Sequence, residues 1–322
     1  MKILVTGGAG FIGSNVADGL IEAGHQVLVV DNLYTGKRSN VNPEARFFQL
    51  DIRAQEIADL IKRERPDIIN HHAAQISVPA SVSDPVFDAE INIKGLLNLL
   101  EAARLNSVGK FIFISSGGAI YGEAPEYPTS ENCPPRPLSP YAVSKFSSEH
   151  YLDYYRYQYG LDYTTLRYAN VYGPRQIPHG EAGVVAIFMN NLIKERQSTL
   201  NFFEGEERGM VRDYCFVGDI VRANLLALDR GSGDFLNIGT GVGTRTLDLY
   251  EIIFEEFKKV RPELPENLTT VRTQIARPGD LKRSCLMVEK ARRVLGWVPE
   301  TGLREGIRQT LMWRLNRGNS PQ

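Results

Sequence analysis

The chain has 322 residues, 43% of them hydrophobic, and a net charge of -1, enough for one sizeable core and a smaller lobe. Acidic and basic residues are interspersed, so nothing signals a nucleic-acid partner or attachment to a membrane surface. Cys133, Cys215 and Cys285 are scattered and odd in number, with neither a disulfide framework nor a metal-binding pattern, and no apolar run reaches the roughly 20 residues of a membrane span; the expected location is cytoplasmic.

Lys2-Ile3-Leu4-Val5 predicts the first strand, and Gly7-Gly8-Ala9-Gly10-Phe11-Ile12-Gly13 turns it into a helix with apolar residues at Phe11, Val16, Leu20 and Ile21. That pattern is a pyrophosphate cradle. Gly7 permits the tight turn, Gly10 lets the backbone approach the phosphates, and Gly13 lets the helix pack close to the strand. The second strand, Gln26-Val27-Leu28-Val29-Val30, ends in Asp31, whose carboxylate suits the two hydroxyls of an adenosine ribose and selects NAD over NADP. Lys37 and Arg38 read as solvated loop charges. After Phe47-Phe48-Gln49-Leu50, Asp51-Ile52 either places a carboxylate near the adenine or caps a helix over 54–63.

Further strands are predicted at 67–71, 110–114 and 163–167, with helices over 85–106 and 141–159. The alternation implies a doubly wound parallel sheet with helices on both faces, an α/β fold. Beyond residue 170 come a Gly/Pro-rich loop over 172–183, helices over 184–196, 219–229 and 246–259, and an apolar run at 235–238. These suggest a smaller interleaved lobe, and 316–322 reads as a frayed tail.

Tyr141-Ala142-Val143-Ser144-Lys145 places a phenol and an ammonium on one helix face, where the cation favours phenolate. Ser115 and Ser116 leave the fifth strand, so a hydroxyl can stand beside that phenol. With Leu166-Arg167-Tyr168-Ala169-Asn170-Val171-Tyr172-Gly173-Pro174-Arg175 and Val211-Arg212-Asp213-Tyr214, the chain resembles the extended short-chain dehydrogenase/reductase family (Rossmann fold) from Lys2 to Gly296-Trp297. Many relatives carry the catalytic Ser or Thr where this chain has Gly117; the hydroxyl role passes to Ser116, with Ser115 as a neighbour on the nicotinamide side.

The resemblance implies that Ser116, Tyr141 and Lys145 are catalytic, and that NAD is held by Gly7, Gly10, Phe11, Ile12, Gly13, Asp31, Asn32, Thr35, Gly36, Asp51, Ile52, Ala73, Ala74, Gln75, Asn92, Ser115, Tyr141, Lys145 and Tyr168. It implies a UDP-sugar substrate on Ser116, Tyr141, Asn170, Gly183, Val184, Val185, Phe203, Arg212, Arg277, Asp280 and Ser284. Relatives that eliminate water use a carboxyl-bearing pair where this chain has Gly118 and Ala119, so the expected chemistry is inversion of C4 of a UDP-hexose by removal and return of hydride. Ser284 would face the C2 substituent and leave room for an N-acetyl group. A UDP-glucuronate 4-epimerase and a non-catalytic NAD(H) sensor are the rival readings. The expected domains are 1–170 with about 214–240 for NAD, and 171–213 with 241–322 for the UDP-sugar. A homodimer is expected through the helices over 85–106 and 141–159, using Leu96, Leu97, Leu99, Leu100, Phe146 and Tyr154.

Overall fold

The structure, a computed structural model, describes residues 1–178, 183–276 and 280–318. In chain order its first half contains β1 (Lys2–Thr6), α1 (Phe11–Glu22), β2 (Gln26–Asp31), β3 (Arg46–Gln49), α2 (Glu56–Glu64), β4 (Ile68–His71), α3 (Val78–Ser83), α4 (Pro85–Ala89), α5 (Gly95–Leu105), β5 (Lys110–Ser116) and α6 (Pro140–Tyr159). There follow β6 (Asp162–Tyr168), β7 (Asn170–Tyr172), α7 (Val184–Ile193), β8 (Thr199–Phe202), β9 (Val211–Phe216), α8 (Val217–Leu226) and β10 (Asp234–Ile238). The last elements are β11 (Gly243–Arg245), α9 (Thr246–Val260), β12 (Arg272–Ile275), β13 (Arg283–Ser284), α10 (Glu289–Leu295) and α11 (Leu303–Gly318).

Seven parallel strands form the main sheet in the order β10-β6-β5-β4-β1-β2-β3. Strand alternation divides its apolar residues between two cores. Ile3, Val5, Val27, Val29 and Leu166 pack with α1, α8 and α10, whereas Leu4, Leu28, Phe111 and Phe113 pack with α2, α5 and α6. The strand order reverses at β1, and clefts of such sheets open at the carboxyl ends on either side of the reversal.

A smaller sheet, β11-β9-β13 with β7 on β9, packs with α7, α9 and α11 around a third core containing Phe188, Tyr250, Phe257, Ile307 and Leu311. The strands of this lobe other than β9 have two to four residues, too few to carry a periodicity legible in the sequence.

Four expectations need correction. The helix predicted over 85–106 is α4, a π-turn at Glu90–Lys94, and α5; the widened turn lets the Asn92 amide reach the carbonyl of Gln75. Asp51 does not cap α2, which starts at Glu56 after Gln55 without a side-chain cap. Leu96, Leu99 and Leu100 face the core of their own chain rather than a partner. The tail predicted from 316 is helical through Gly318, since α11 is anchored by Ile307 and Leu311; 319–322 lie outside the described residues.

Candidate active site

The β1–α1 turn supplies the cradle. Gly7 has φ +69, a conformation that side chains rarely adopt, and a Cβ there would meet the Ala73 nitrogen at 2.6 Å. The turn thus lies against the loop after β4, across the reversal of strand order. At Gly13 a Cβ would lie 2.3 Å from the Gly7 carbonyl oxygen, so only glycine lets α1 approach. α1 has no acidic residue in its first turn and no side-chain cap, which leaves its N-terminal N–H groups and dipole to an anion.

At the end of β2, Asp31 accepts N–H bonds from Ala9 at 3.0 Å and Leu33 at 2.8 Å, one on each oxygen. Burial pushes its carboxyl up, and the two backbone donors oppose that. Gly36 lets the chain pass over it, since a Cβ there would lie 2.8 Å from Asp31 Oδ1. Asn32 donates to Asp51 at 3.0 Å, and Arg53 grips both Asp51 oxygens at 2.9 Å, holding that carboxyl down at about 2. Thr35, Lys37 and Arg38 are exposed on the same loop.

Behind the cradle, Ala73 N donates to Thr6 Oγ1 at 3.3 Å, and Gln75 and Asn92 bond each other twice, fixing the segment Ala73-Ala74-Gln75. These features fit a dinucleotide: a strained glycine turn, a bare helix N-terminus and a buried carboxylate one strand away.

α6 carries Tyr141 and Lys145 on one face. Ser139 caps it by accepting the Ala142 N–H at 3.2 Å, with Pro140 in the first turn. Ser116 hydrogen-bonds the Tyr141 hydroxyl, which favours phenolate, but burial and the Asp88 charge push that hydroxyl up to about 12. Lys145 is buried, donates to the Ile114 carbonyl at 2.9 Å, and stands 4.9 Å from the centre of the Phe113 ring. Burial lowers Lys145 to about 8, against the opposing charges of Asp88 and Glu149. A positive charge bound in the cleft would favour phenolate further.

The small sheet gathers residues far apart in sequence. β7 sets Asn170 beside Tyr214, and β13 sets Ser284 beside Arg212. A Cβ on Gly118 would lie 3.7 Å from Asn170 Oδ1 and 3.9 Å from Ser284 Oγ, so these three positions converge. Ser284 is 7% exposed, which rules out a solvent-facing role. Arg212 donates to the carbonyls of Val211 at 2.9 Å and Leu281 at 2.8 Å, and Asp280 bears on it electrostatically. Gly183 heads α7, with Val184 half-buried behind it; Lys282 Nζ stands 5.6 Å from the centre of the Phe203 ring. Arg277 lies outside the described residues.

The side chains of Ser115, Ile52, Tyr168 and Val185 are engaged within the protein. Ser115 donates to Glu149 at 2.6 Å, Tyr168 accepts from Asn224 at 2.6 Å, and Ile52 and Val185 pack in cores. Sequence reasoning missed Asp88, Ser144, Glu149 and Arg167. Asp88 Oδ2 accepts from Ser144 at 2.6 Å, and Arg167 grips both Glu149 oxygens, at 3.0 and 2.5 Å. The signal was a charge where the pattern demanded an apolar residue, in the strand holding Arg167 and four positions along α6 from Lys145. His71 is buried and His72 half-buried, and both are neutral: burial first and Lys145 second hold His71 well below its usual range and His72 down at about 3.

A glycine cradle at the reversal of a doubly wound sheet, facing a tyrosine and lysine on one helix, defines an extended short-chain dehydrogenase/reductase. Residues 3–239 match the NAD dependent epimerase/dehydratase family, and the chain belongs to it. It is 44% identical to a UDP-glucose 4-epimerase of Mycolicibacterium smegmatis, over 98% of this chain and 99% of that one. Among solved structures it is similar to UDP-glucose 4-epimerase of Thermotoga maritima with UDP-glucose, with TM-score 0.92 and 46% identity over 99% of this chain and 100% of that one. The Thermus thermophilus UDP-glucose 4-epimerase complex with NAD has TM-score 0.88 and 47% identity, over 98% and 99% of the two chains.

Proposed function

We propose that the protein inverts C4 of a UDP-hexose with NAD as cofactor, interconverting UDP-glucose and UDP-galactose. The observation that carries this reading is Tyr141, bonded by Ser116 and sharing a helix face with Lys145, beside a turn that has Gly118 and Ala119 in place of a general acid. Proton removal is provided for; elimination is not.

NAD, held by the β1–α1 turn and Asp31, supplies a hydride acceptor that returns what it takes. Tyr141 phenolate accepts the proton of the sugar 4-hydroxyl and gives it back after the sugar has turned over. Lys145 as ammonium, one helical turn along α6, stabilises that phenolate, and Ser116 holds its oxygen in place. Asn170, Arg212 and Ser284 hold the UDP-sugar, with Ser284 toward C2 and able to accept an N-acetyl group. Residues 1–170 with about 214–240 carry the cofactor, and 171–213 with 241–322 carry the UDP-sugar; the pairing of β10 with β6 in the main sheet supports this division.

UDP-galactose supplied to the purified protein should yield UDP-glucose without added reductant, with the epimers resolved by chromatography. Absence of interconversion with UDP-galactose, UDP-N-acetylgalactosamine and UDP-galacturonate would overturn the reading.

The protein pairs with a second copy through α5 and α6. α6 exposes Tyr154 at 50% and Tyr157 at 90%, and a groove of about 420 Å³ lies between Ser147, His150, Tyr151 and Tyr154. Light scattering at micromolar concentration should report twice 36.0 kDa. A cytoplasmic location fits three cysteines without a disulfide, and no described helix is long and apolar enough to cross a membrane.

A further inference from the structure

Asp88, in the five-residue helix α4, is 0% exposed. Its Oδ1 accepts from Gln75 Nε2 at 2.8 Å and Asn92 Nδ2 at 3.0 Å, and its Oδ2 accepts from Ser144 Oγ at 2.6 Å. One carboxylate therefore joins three parts of the site: the segment behind the cradle, the π-turn, and α6 between Tyr141 and Lys145. All three partners are neutral. Glu149, the other carboxylate near Lys145, is gripped by the Arg167 guanidinium. The negative charge that Lys145 feels without local compensation is thus that of Asp88.

We propose that Asp88 is a positioning residue for the epimerisation, touching neither substrate nor cofactor, that fixes α6 through Ser144 and sets the pH range over which the Tyr141 and Lys145 pair works. The inference rests on the reading of Tyr141 as the proton acceptor. The groups facing the pair are His71 and His72 from the end of β4, Asp88 from α4, Glu149 on α6, and Ser116 from β5. The two histidines are neutral and Glu149 is paired with Arg167, which leaves Asp88 as the uncompensated charge facing the pair. Its charge favours the protonated form of both Tyr141 and Lys145.

Asp88→Asn keeps the shape and removes the charge, so both limbs of the pH profile of turnover should move to lower pH, by about one unit each. A merely structural role would lower turnover and leave the limbs in place, and that result would overturn the proposal. A second readout needs no turnover: the phenolate absorbance of the NAD-loaded protein, taken as the difference from its Tyr141→Phe counterpart. In the Asp88→Asn background its midpoint should fall by about one unit; an unmoved midpoint would overturn the proposal even if no sugar nucleotide proved to be a substrate. If Asp88→Asn does not fold, Asp88→Ser, which leaves room for a water, is read the same way. Ser144→Ala retains the charge and cuts the tether, so it should reduce turnover at least several-fold with both limbs unmoved. Undiminished turnover would overturn the tethering role.

Discussion

Ser115 Oγ donates to Glu149 Oε1 at 2.6 Å, which turns the first serine at the end of β5 into the protein and leaves Ser116 beside Tyr141. The two neighbours therefore have different jobs. Ser116→Ala should lower turnover by about 10- to 100-fold, within the range for a group assisting proton transfer, with little change in stability. Ser115→Ala should retain most turnover and cost about 1 kcal/mol of stability, because a buried carboxylate loses one donor while keeping Arg167. Steady-state rates and urea unfolding of both variants check this. The opposite ranking would exchange the assignments.

Tyr141→Phe removes the proton acceptor without touching the cradle. Turnover should fall by about 10²–10⁴-fold while NAD stays bound, as read by the nucleotide released on denaturation. Activity within a few-fold of the parent would remove Tyr141 from the mechanism.

Burial lowers Lys145 from 10.5 in the unfolded chain to about 8, so the folded protein binds that proton more weakly. Below about pH 8 the buried charge is a full cost to stability; as pH rises from there toward 10.5 the cost is relieved. Lys145→Met should therefore stabilise the cofactor-stripped protein at pH 7 by roughly 2–3 kcal/mol while nearly abolishing turnover. Unfolding curves at two pH values test the sign, since the advantage of the variant must shrink at the higher one.

Gly13→Ala would drive a methyl group to 2.3 Å from the Gly7 carbonyl oxygen, so the turn or the helix must move. NAD affinity should drop at least tenfold, measured by titration of the stripped protein, with the main sheet intact by circular dichroism. Unchanged affinity would mean that the turn does not hold the pyrophosphate.

Ser284 lies beside Asn170 and Gly118. Ser284→Tyr should depress turnover of UDP-N-acetylglucosamine far more than that of UDP-glucose, by about 10- to 100-fold in relative kcat/KM, since one steric contact is worth about 1–3 kcal/mol. Equal losses would place Ser284 away from C2.

The sheet and the cradle were legible in the sequence because their causes are local. Apolar runs of four to seven residues, glycines at Gly7, Gly10 and Gly13, and an acid ending the second strand each impose geometry on their immediate neighbours. Tyr141 and Lys145 were legible for the same reason, since one helical turn separates them. What the sequence by itself determined is thus the fold class, the glycine turn with its strand-end acid, and the shared helix face of Tyr141 and Lys145.

Only the tertiary structure decided how that pair is supported. Asp88 and Ser144 are 56 positions apart, and Ser115 and Glu149 are 34 apart, so no periodicity links them. The same holds for Ser284, brought to Arg212 by the pairing of β13 with β9. A buried charge or hydroxyl does not name its partner in advance, because any chain segment that satisfies it serves equally well until packing selects one. Side-chain direction at Tyr168, Ile52 and Val185 was settled likewise, by which face of each element the core claimed.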